Sequence, residues 1–492
     1  MAQKLYFALK NSISSFWSHH PALHLAVTFL IGIASTFHWE YILLVPALFV
    51  LDKKRSALLM CATGYLYCFL LHSDPVLKNP AFGSGIFHID QVKRHSTFFQ
   101  PLLVYEGTIK NFQTDKQTYR CLPCRLYMSI EKNRPIANQD YLLSSICLKE
   151  TSSHHFILKT QKNSSWIPIK NTKSQAEWRF QTKEKVRVWV KKHLRQKPVQ
   201  DLIAGLLTGQ KDNRLQTFQF GQLGLQHLLA ISGFHFAILT FFLAFLLKHF
   251  FSQKLMALTL IFLLSCYFYY MGEAPSISRA WIGVLVFLGG ILLERQSSPL
   301  NALGIGLFAA LISNPLVALD VGFQLSFAAT LGILIFYIPF ESKLQSLFPK
   351  RSLNTLTQLP VFDQWGSLLS AYLRKVLALN TSVILFTLPI LLVHFHQFPL
   401  LSLFYNLFFP VLFSLLVGLL ILSLLFPFLF PFLEIYSNFL LHLVAYAPKR
   451  LMFFLHIPSF SQEIACIICL FLFLWGTYLY WSSSVIKEWN YT

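Results

Sequence analysis

Long apolar runs without any charge recur through this chain and limit what it can fold into. They occur at 255–270, 300–319, 376–393, 411–426 and 464–480. Each run is close to the length of about 20 residues that a helix needs to cross a hydrocarbon core of about 30 Å. Only 13% of the residues are charged, whereas a soluble domain carries about 25%. The sequence therefore predicts a mainly α-helical, multi-pass membrane protein with about ten transmembrane helices, some of them broken or re-entrant.

The N-terminal part of the chain contains three apolar runs separated by short polar stretches. The runs lie at 22–37, 40–51 and 56–72, and basic residues precede the first run and the third. Positively charged loops stay on the cytoplasmic side, so we expect the chain to emerge outside after Leu71. No small-residue cleavage site follows the first run, which favours a retained helix over a cleaved signal peptide. Residues 1–72 are therefore predicted to form N-terminal membrane helices.

Residues 73–175 change character and show the alternation of β-strands. Apolar and polar residues alternate with period two in short runs rich in β-branched and aromatic residues. These runs lie at 102–112, 118–130, 140–148, 154–160 and 165–170. About five short strands suit the oligonucleotide-binding (OB) barrel, and a generic β-sandwich fragment fits nearly as well. We expect 73–175 to form a small, β-rich, OB-like extracytoplasmic domain.

The positive charge of the chain is concentrated between Ser73 and Gln200. This segment holds 22 Lys and Arg against 9 Asp and Glu, and the whole chain has a net charge of +20. Two partners fit such a segment: anionic lipid headgroups and the phosphates of a nucleic acid. Residues 176–200 favour a basic amphipathic linker helix at the outer membrane boundary. The candidates for capturing DNA, if the second partner is right, are Lys183, Lys185, Arg187, Lys191, Lys192 and Arg195.

Three cysteines lie in the predicted outer segment, where disulfides can persist. They are Cys121, Cys124 and Cys147. Cys121 and Cys124 have the CxxC spacing, but a single such pair without a second one is a weak metal signal. We therefore expect a structural disulfide between two of the three.

The stretch GQLGLQHLLAISGFHFAI (221–238) places polar residues at the head of a long apolar region. Ser232 and Gly233 can interrupt a helix, and the freed backbone groups must then face protein or water rather than lipid. His227 and His235 border this interruption. Two histidines without a third ligand make a poor zinc site, so we expect no metal ion here.

Arg279 and Asp320 are ionisable residues at the start of later apolar runs. Ionisable groups inside a membrane are costly and usually face a polar path or a partner. We expect the two residues to pair across helices or to line a cavity. The alternatives are snorkelling of Arg279 to the interface and stabilisation of a helix N-terminus by Asp320.

Five motifs follow one another in the second part of the chain. They are GLLTGQKDN (205–213), GLQHLLAISGFHFAIL (224–239), PSISRAWIG (275–283), DVGFQLSFAATLGIL (320–334) and HFHQFPLLSLFYNLFFPVL (394–412). Together, and in this order, they resemble the competence domain of the ComEC family of DNA-internalisation proteins. The resemblance extends over about residues 20–480 and is strong for 202–412. It implies that residues 201–492 form a competence-domain membrane channel.

The resemblance further implies a channel in the inner (cytoplasmic) membrane that passes single-stranded DNA into the cytoplasm during natural transformation. Its implied partners are DNA and membrane lipids, with a homo-oligomer as one option. The candidates for lining or gating the DNA path, carried over by position, are His227, Ser232, Gly233, His235, Arg279, Asp320, Gln324 and Asn406.

The sequence indicates neither an enzyme nor a bound cofactor. No GxxxxGK[ST] motif occurs, so we expect a separate cytoplasmic DNA motor. Many members of the resembled family continue into a β-lactamase-like nuclease domain, whereas this chain stops at Thr492, so we expect a separate nuclease. The alternative function is a secondary transporter of a small solute or lipid that binds at the broken helix. A third hypothesis is a membrane hydrolase with His227, His235 and Asp320 as metal ligands.

Overall fold

The structure is a computed structural model that describes most of the chain. The described residues are 14–37, 41, 55–71, 80–96, 101–114, 117–130, 134–152, 155–160, 166–171, 175–210, 213–231, 233–272, 274–295, 298–349, 351, 353–447, 453–457 and 460–482. Ser232, one of the candidate gating residues, lies outside them, as does nearly all of the predicted apolar run 40–51.

Six strands of the β-rich domain form one sheet, and the first five close into a barrel. They are β1 (Ala81–Ser96), β2 (Pro101–Gln113), β3 (Thr118–Ser129), β4 (Gln139–Ser152), β5 (His155–Thr160) and β6 (Trp166–Asn171). The strand order is β1-β2-β3-β5-β4-β6, and β1 also pairs with β4. β3 and β5 are parallel, whereas the other neighbours are antiparallel. This is the five-stranded arrangement of an OB barrel, with β6 added beside β4.

The five predicted strand runs correspond to β2–β6, and the small β-rich domain is confirmed. The sequence pattern does not predict β1. Two register shifts interrupt the alternation of this strand, one after Ser84 and one after Ile89, and such bulges hide the period of two. The barrel depends on the missed strand, because β1 pairs with both β2 and β4.

Helices make up most of the remaining structure. They are α1 (Pro21–Phe37), α2 (Arg55–Leu71), α3 (Gln175–His193), α4 (Lys197–Thr208), α5 (Arg214–Gln222), α6 (Gln226–Leu229), α7 (Gly233–Leu247), α8 (Gln253–Met271), α9 (Pro275–Leu292), α10 (Pro299–Ser313), α11 (Val321–Leu347), α12 (Leu353–Thr357), α13 (Val361–Phe395), α14 (Ser402–Leu425), α15 (Phe430–Ala445) and α16 (Gln462–Ser482). Short 3-10 helices lie at Pro315–Leu319 and Pro427–Leu429, and β7 (Gln397–Pro399) pairs with β8 (Phe454–His456).

Within the described residues, six helices are long and apolar enough to cross a membrane. They are α8, α11, α13, α14, α15 with the turn before it, and α16. The shorter helices α1, α2, α7, α9 and α10 are apolar as well. The predicted fold class, a polytopic helical membrane protein with a small β-rich domain, is therefore confirmed.

Helix α3 joins the barrel to the membrane helices. Ala176 and Phe180, in its first half, belong to the buried core of the barrel. Val190 and Leu194, at its end, belong to a core that α4, α14 and α15 also form. The linker helix predicted at 176–200 thus packs on both parts of the molecule at once.

A buried ion pair fixes the first turn of α3 to the barrel. The Arg134 guanidinium donates hydrogen bonds to both carboxylate oxygens of Glu177, and the Ala137 backbone N–H donates to the same carboxylate at 3.2 Å. Burial raises the pKa of Glu177, but the hydrogen bonds from Arg134 and Ala137 outweigh burial and hold that pKa below its ordinary value. The carboxylate therefore stays charged at neutral pH, and the barrel is held on the linker helix.

Candidate functional site

A break in helical structure lies between α6 and α7. α6 ends at Leu229 and α7 begins at Gly233, with Ala230 between them in an extended conformation. The Ser276 hydroxyl of α9 donates a hydrogen bond to the Ile231 backbone carbonyl at 3.0 Å. One of the backbone groups freed by the break is thereby satisfied. The broken helix expected from the sequence is present, and it is held against α9.

The two motif histidines lie on either side of this break, on different helices. His227 is exposed, and its Nδ1 lies 3.1 Å from the Gly224 carbonyl oxygen. His235 is buried, and its ring lies edge-on to Phe413 of α14 with 5.8 Å between the ring centroids. Asn406, also in α14, has a buried side-chain oxygen without a hydrogen-bond partner among the described residues. These three candidate gating residues thus fall on three different helices.

The N-terminus of α7 packs directly against Arg279 of α9. A Cβ added at Gly233 would lie 3.0 Å from Arg279 Nη2, so a larger residue there would displace the guanidinium. Arg279 Nε donates to the Ser326 hydroxyl of α11 at 2.9 Å, and the guanidinium carbon lies 6.0 Å from the Phe327 ring centroid. In the part of the chain that the structure describes, Arg279 has no ion-pair partner. A half-buried cation without a counter-ion is suited to binding an anionic group.

Asp320 caps α11 instead of pairing with Arg279. Its Oδ1 accepts a hydrogen bond from the Phe323 backbone N–H at 2.8 Å, which is an N-cap contact. Pairing across helices, one of the two expected roles, is therefore not observed, and the alternative drawn from the sequence, stabilisation of a helix N-terminus by Asp320, is what the structure shows. One turn on, Gln324 Oε1 lies 3.1 Å from His394 Nε2 of α13, while its Nε2 donates to a backbone carbonyl at 2.9 Å.

These contacts bring the start of α7, at Gly233, together with polar side chains of α9, α11 and α13 in the helical domain. We call this group the membrane cluster. Its members are Gly233, Arg279, Asp320, Gln324, Ser326 and His394. The cluster offers hydrogen-bond donors and one cation, which suits an anion better than a metal ion, and the described residues contain no group of three metal-ligating side chains.

Irregular backbone adjoins the membrane cluster. β7 follows directly on α13, which carries His394, and pairs with β8. Gly224 has a positive φ of 67°, and a Cβ there would collide with Ser402 and lie 3.2 Å from Pro399. Non-helical backbone at membrane depth is tolerated only where it is buried in protein or lines a water-filled cavity. The arrangement therefore favours a polar interior in this part of the membrane domain.

A cleft of about 420 Å³ lies between the barrel and the ends of the membrane helices. We call it the basic cleft. One wall is the outer face of β1, β2 and β3, the region with which OB barrels bind oligonucleotides. The residues of this wall include Lys93, His95, Glu106, Arg125 and Tyr127. The opposite wall includes Arg179 and Lys183 of α3, Gly209, Gln210, and Met271, Gly272, Ala274 and Ile277 around the α8–α9 turn.

Charged and aromatic side chains stand side by side on the barrel wall of the basic cleft. Glu106 accepts a hydrogen bond from Lys93 Nζ at 2.5 Å and pairs with Arg125 Nε at 3.1 Å, so one carboxylate serves two cations. The rings of His95 and Tyr127 lie 6.3 Å apart. This wall therefore presents residual positive charge next to aromatic faces on which bases can stack.

The opposite wall of the basic cleft carries two more cations. Arg179 Nε donates to the Tyr269 carbonyl and Lys183 Nζ to the Met271 carbonyl, both at 2.8 Å. These bonds fix α3 to the end of α8. Burial, with a smaller effect from nearby cations, lowers the pKa of Lys183 to about 8. Lys183 is thus protonated at neutral pH and loses its proton in mild alkali.

The basic cleft lies next to the helix break and the membrane cluster along α9. Ile277 of α9 lines the cleft, whereas its neighbour Ser276 bonds the Ile231 carbonyl in the break. Arg279, two positions further along α9, belongs to the membrane cluster. From the other side, a Cβ at Gly209 would lie 3.1 Å from the Ile231 side chain. One turn of α9 therefore reaches from the cleft to the cluster.

The six candidate DNA-capture cations have different surroundings in the structure, although the sequence pattern does not distinguish them. Arg187 is buried and donates to Glu184 Oε1 at 2.6 Å and to Gln210 Oε1 at 3.0 Å, so it is a structural residue. Lys183 is also buried, in the wall of the basic cleft. The other four are exposed and do not line the cleft; they are Lys185, Lys191, Lys192 and Arg195.

The sequence does not single out the barrel residues of the basic cleft. Cross-strand register brings them together: Val104 lies opposite both Lys93 and Tyr127, and Glu106 lies opposite Arg125. The signal that the sequence offers is the alternation of polar and apolar residues, since each of these cleft residues occupies an outward position beside inward apolar residues. Register between distant strands is needed to turn that signal into a site.

The structure shows no disulfide among the cysteines that it describes, which are all free thiols, so the expected disulfide stays a prediction. Cys121 and Cys124 are three positions apart on β3, so their side chains point to opposite faces of the strand. Cys121 is exposed, whereas Cys124 is buried in the barrel core. Cys147 lies on β4, which β5 separates from β3.

Comparison with known proteins gives one family and one curated relative. The model of the competence protein family matches residues 206–483. ComE operon protein 3 of Bacillus subtilis (strain 168) is 32% identical over 205 residues, which are 42% of this chain and 23% of that protein. The match thus spans less than a quarter of the relative's length. No solved structure matches the chain.

Proposed function

The chain belongs to the competence protein family, and on that premise we propose that it conducts single-stranded DNA across the cytoplasmic membrane during DNA uptake. In this proposal the barrel and the basic cleft lie on the extracytoplasmic side. The strand passes from the cleft through the membrane cluster into the cytoplasm. Family membership supports a role in DNA uptake, and the six long apolar helices support a multi-pass location in a membrane.

One observation carries the proposal: a single turn of α9 joins the basic cleft to the membrane cluster. Ile277 lines the cleft, and Arg279 is the cation of the cluster. A strand bound on the barrel face would therefore have Arg279 within one helical turn of the cleft. A transporter of a neutral solute has no need of a basic cleft at the entrance to its site, so the arrangement favours a polyanion.

The basic cleft suits one strand rather than a duplex. Its volume of about 420 Å³ is far too small for a double helix about 20 Å wide, of which the major groove alone is about 12 Å wide. Lys93, Arg125, Arg179 and Lys183 supply charge for backbone phosphates, and Tyr127 supplies a face for a base. Recognition of this kind does not depend on the base sequence, as uptake of arbitrary DNA requires.

In the membrane cluster, Arg279 is the group that meets each passing phosphate. Its guanidinium is held by the Ser326 hydroxyl and has no carboxylate to neutralise it among the described contacts. A single cation binds a phosphate strongly enough to admit it and weakly enough to release it, which conduction requires. Gln324 and Asp320 hold the start of α11 in place for this contact.

The remaining motif residues border the same proposed path. His227 lies on the exposed side of the break, and His235 and Asn406 lie where α7 meets α14. Gly233 keeps the first turn of α7 close to Arg279. We assign these four residues to the shape of the path rather than to chemistry on DNA.

The test is entry of labelled DNA into cells that lack the chain and are complemented with variants. Wild type restores nuclease-protected DNA in the cytoplasm. Arg279→Gln lowers that entry by about 10- to 100-fold, because it removes a charged contact to phosphate, and Arg279→Lys retains part of it. Arg295→Gln, which changes an exposed arginine beyond the other end of α9, leaves entry unchanged. Unchanged DNA entry in the deletion strain would refute the proposed function.

A further inference from the structure

The exposed face of α3 is a second basic surface, and it lies on the side of the helix away from the basic cleft. Residues at spacings of three and four share one helix face. Trp178, Lys185, Val188 and Lys192 follow this spacing and are exposed, and Arg195 extends the row just beyond the last turn. Ala176 and Lys183, which line the cleft, lie on the opposite side. A strand bound in the cleft is therefore separated from this surface by the helix itself.

Both ends of this surface meet helices at the edge of their apolar faces. At the N-terminal end, the Trp178 ring lies 5.5 Å from the ring of Tyr269. Tyr269 ends the exposed apolar stripe of α8, which runs through Leu255, Leu258 and Phe262. In a membrane protein such a stripe faces lipid, and Tyr and Trp at its end mark the headgroup level. The N-terminal end of α3 is thus at the lipid interface.

The C-terminal end of the surface has the same surroundings. The rings of Trp189 and His193 lie 5.4 Å and 5.0 Å from the ring of Phe430, in the first turn of α15. Glu434 of α15 accepts hydrogen bonds from the Arg195 and Gln196 backbone N–H groups, at 3.0 Å and 2.7 Å. The exposed apolar stripe of α15 begins at this point and includes Phe432, Ile435 and Phe439. Helix α3 therefore runs along the interface between two lipid-facing stripes.

We propose that the exposed face of α3 binds the headgroups of anionic phospholipids in the adjacent leaflet. Lys185, Lys192 and Arg195 are placed to contact lipid phosphates, and each such cation strengthens attraction to an anionic membrane. Trp178 and Val188 are 49% and 54% exposed, which suits contact with the upper acyl chains and disfavours a surface that faces only water. Because the Arg134–Glu177 ion pair ties α3 to the barrel, the bound lipid also sets the position of the basic cleft above the membrane.

Native mass spectrometry of the purified full-length protein tests this surface, with phosphatidylglycerol and phosphatidylcholine as the probes. We expect wild type to bind phosphatidylglycerol more tightly than phosphatidylcholine. Each surface cation contributes about fivefold, so the triple variant Lys185→Gln, Lys192→Gln, Arg195→Gln loses about 100-fold in affinity for phosphatidylglycerol. The matched control Lys110→Gln, Lys149→Gln, Lys159→Gln removes the same charge from exposed barrel positions and keeps the wild-type affinity.

Binding of a single-stranded 20-mer is measured on the same three proteins. The proposal requires the α3 variant to bind this DNA as wild type does. Loss of DNA binding with phosphatidylglycerol binding intact would assign the face to nucleic acid and overturn the lipid site. Equal loss of phosphatidylglycerol binding in both triple variants would also overturn the lipid site, since net charge alone would then explain the affinity. Wild-type affinity for phosphatidylglycerol in the α3 variant would overturn it as well.

Discussion

Two arginines of the membrane helices, the buried Arg374 and the half-buried Arg279, have opposite surroundings. Arg374 Nη1 donates to the Phe348 carbonyl at 2.7 Å, and its Nε lies 4.0 Å from a Glu341 carboxylate oxygen. Its charge is therefore matched within the fold, and it is a structural residue. Arg279 has only the Ser326 hydroxyl and the Phe327 ring among its described contacts. A cation without a counter-ion inside a membrane domain lowers the stability of the fold. Such a residue is usually kept because it has a function.

If the basic cleft binds DNA as proposed, Lys183 should make that binding depend on pH. Burial lowers its pKa to about 8, so the amine is charged below pH 8 and neutral above it. A phosphate binds the charged form, and the affinity of the protein for single-stranded DNA should fall about two- to fivefold between pH 7 and pH 9, about the contribution of one ion pair in a cleft that is open to solvent. Fluorescence anisotropy of a labelled 20-mer across this range measures the fall.

Two variants separate Lys183 from the other lysines of α3. Lys183→Met should bind DNA more weakly at pH 7 and lose the pH dependence. Lys191→Met, which changes an exposed lysine outside the cleft, should keep both the affinity and the pH profile. A Lys183→Met protein whose affinity still falls between pH 7 and pH 9 would show that another group titrates.

At the scale of elements, the fit between α7 and α9 depends on the absence of a side chain at Gly233. An added Cβ would stand 3.0 Å from Arg279 Nη2, closer than a relaxed contact allows. Gly233→Ala should therefore shift the guanidinium and lower DNA entry about tenfold, close to the loss of one charged hydrogen bond. The complementation assay with labelled DNA measures the change.

Gly283→Ala is the matched control for this substitution. Gly283 also lies in an apolar helix, on α9, but a Cβ there meets no atom within 4 Å. The control should support wild-type DNA entry at the same protein level in the membrane. If both alanine variants lower entry equally, a general intolerance of the helices explains the effect, and the Gly233–Arg279 contact does not.

Local sequence patterns predict the helices and strands of this protein better than they predict which of them contact each other. The Ser-Gly pair at 232–233 indicates the helix break because the freed backbone groups of a membrane helix need protein or water. β1 escapes prediction because two bulges hide its alternation. The Arg279–Asp320 pairing fails because capping of α11 competes for the carboxylate. The barrel wall of the basic cleft needs strand register, which no short window of sequence contains.

At the scale of the whole molecule, the two proposals place a different partner on each side of the basic segment. Residues 73–200 contribute 22 of the 41 Lys and Arg of the chain. On the cleft side, Lys93, Arg125 and Lys183 surround the proposed strand. On the other side, Lys185 and Lys192 face the proposed lipid surface. The positive charge alone was compatible with two partners, anionic lipid and nucleic acid. The two proposals assign these partners to opposite faces of one linker helix.

Photo-cross-linking during DNA uptake tests most directly whether a single strand passes from the basic cleft to the membrane cluster. p-Benzoylphenylalanine replaces one residue at a time in cells that take up labelled DNA. The positions are Tyr127 in the cleft, Phe327 beside Arg279, and Phe262, which is 67% exposed on the lipid-facing stripe of α8. The account predicts DNA cross-links at Tyr127 and Phe327 and none at Phe262. Uptake that proceeds without a cross-link at Phe327, or with equal cross-linking at Phe262, would contradict it.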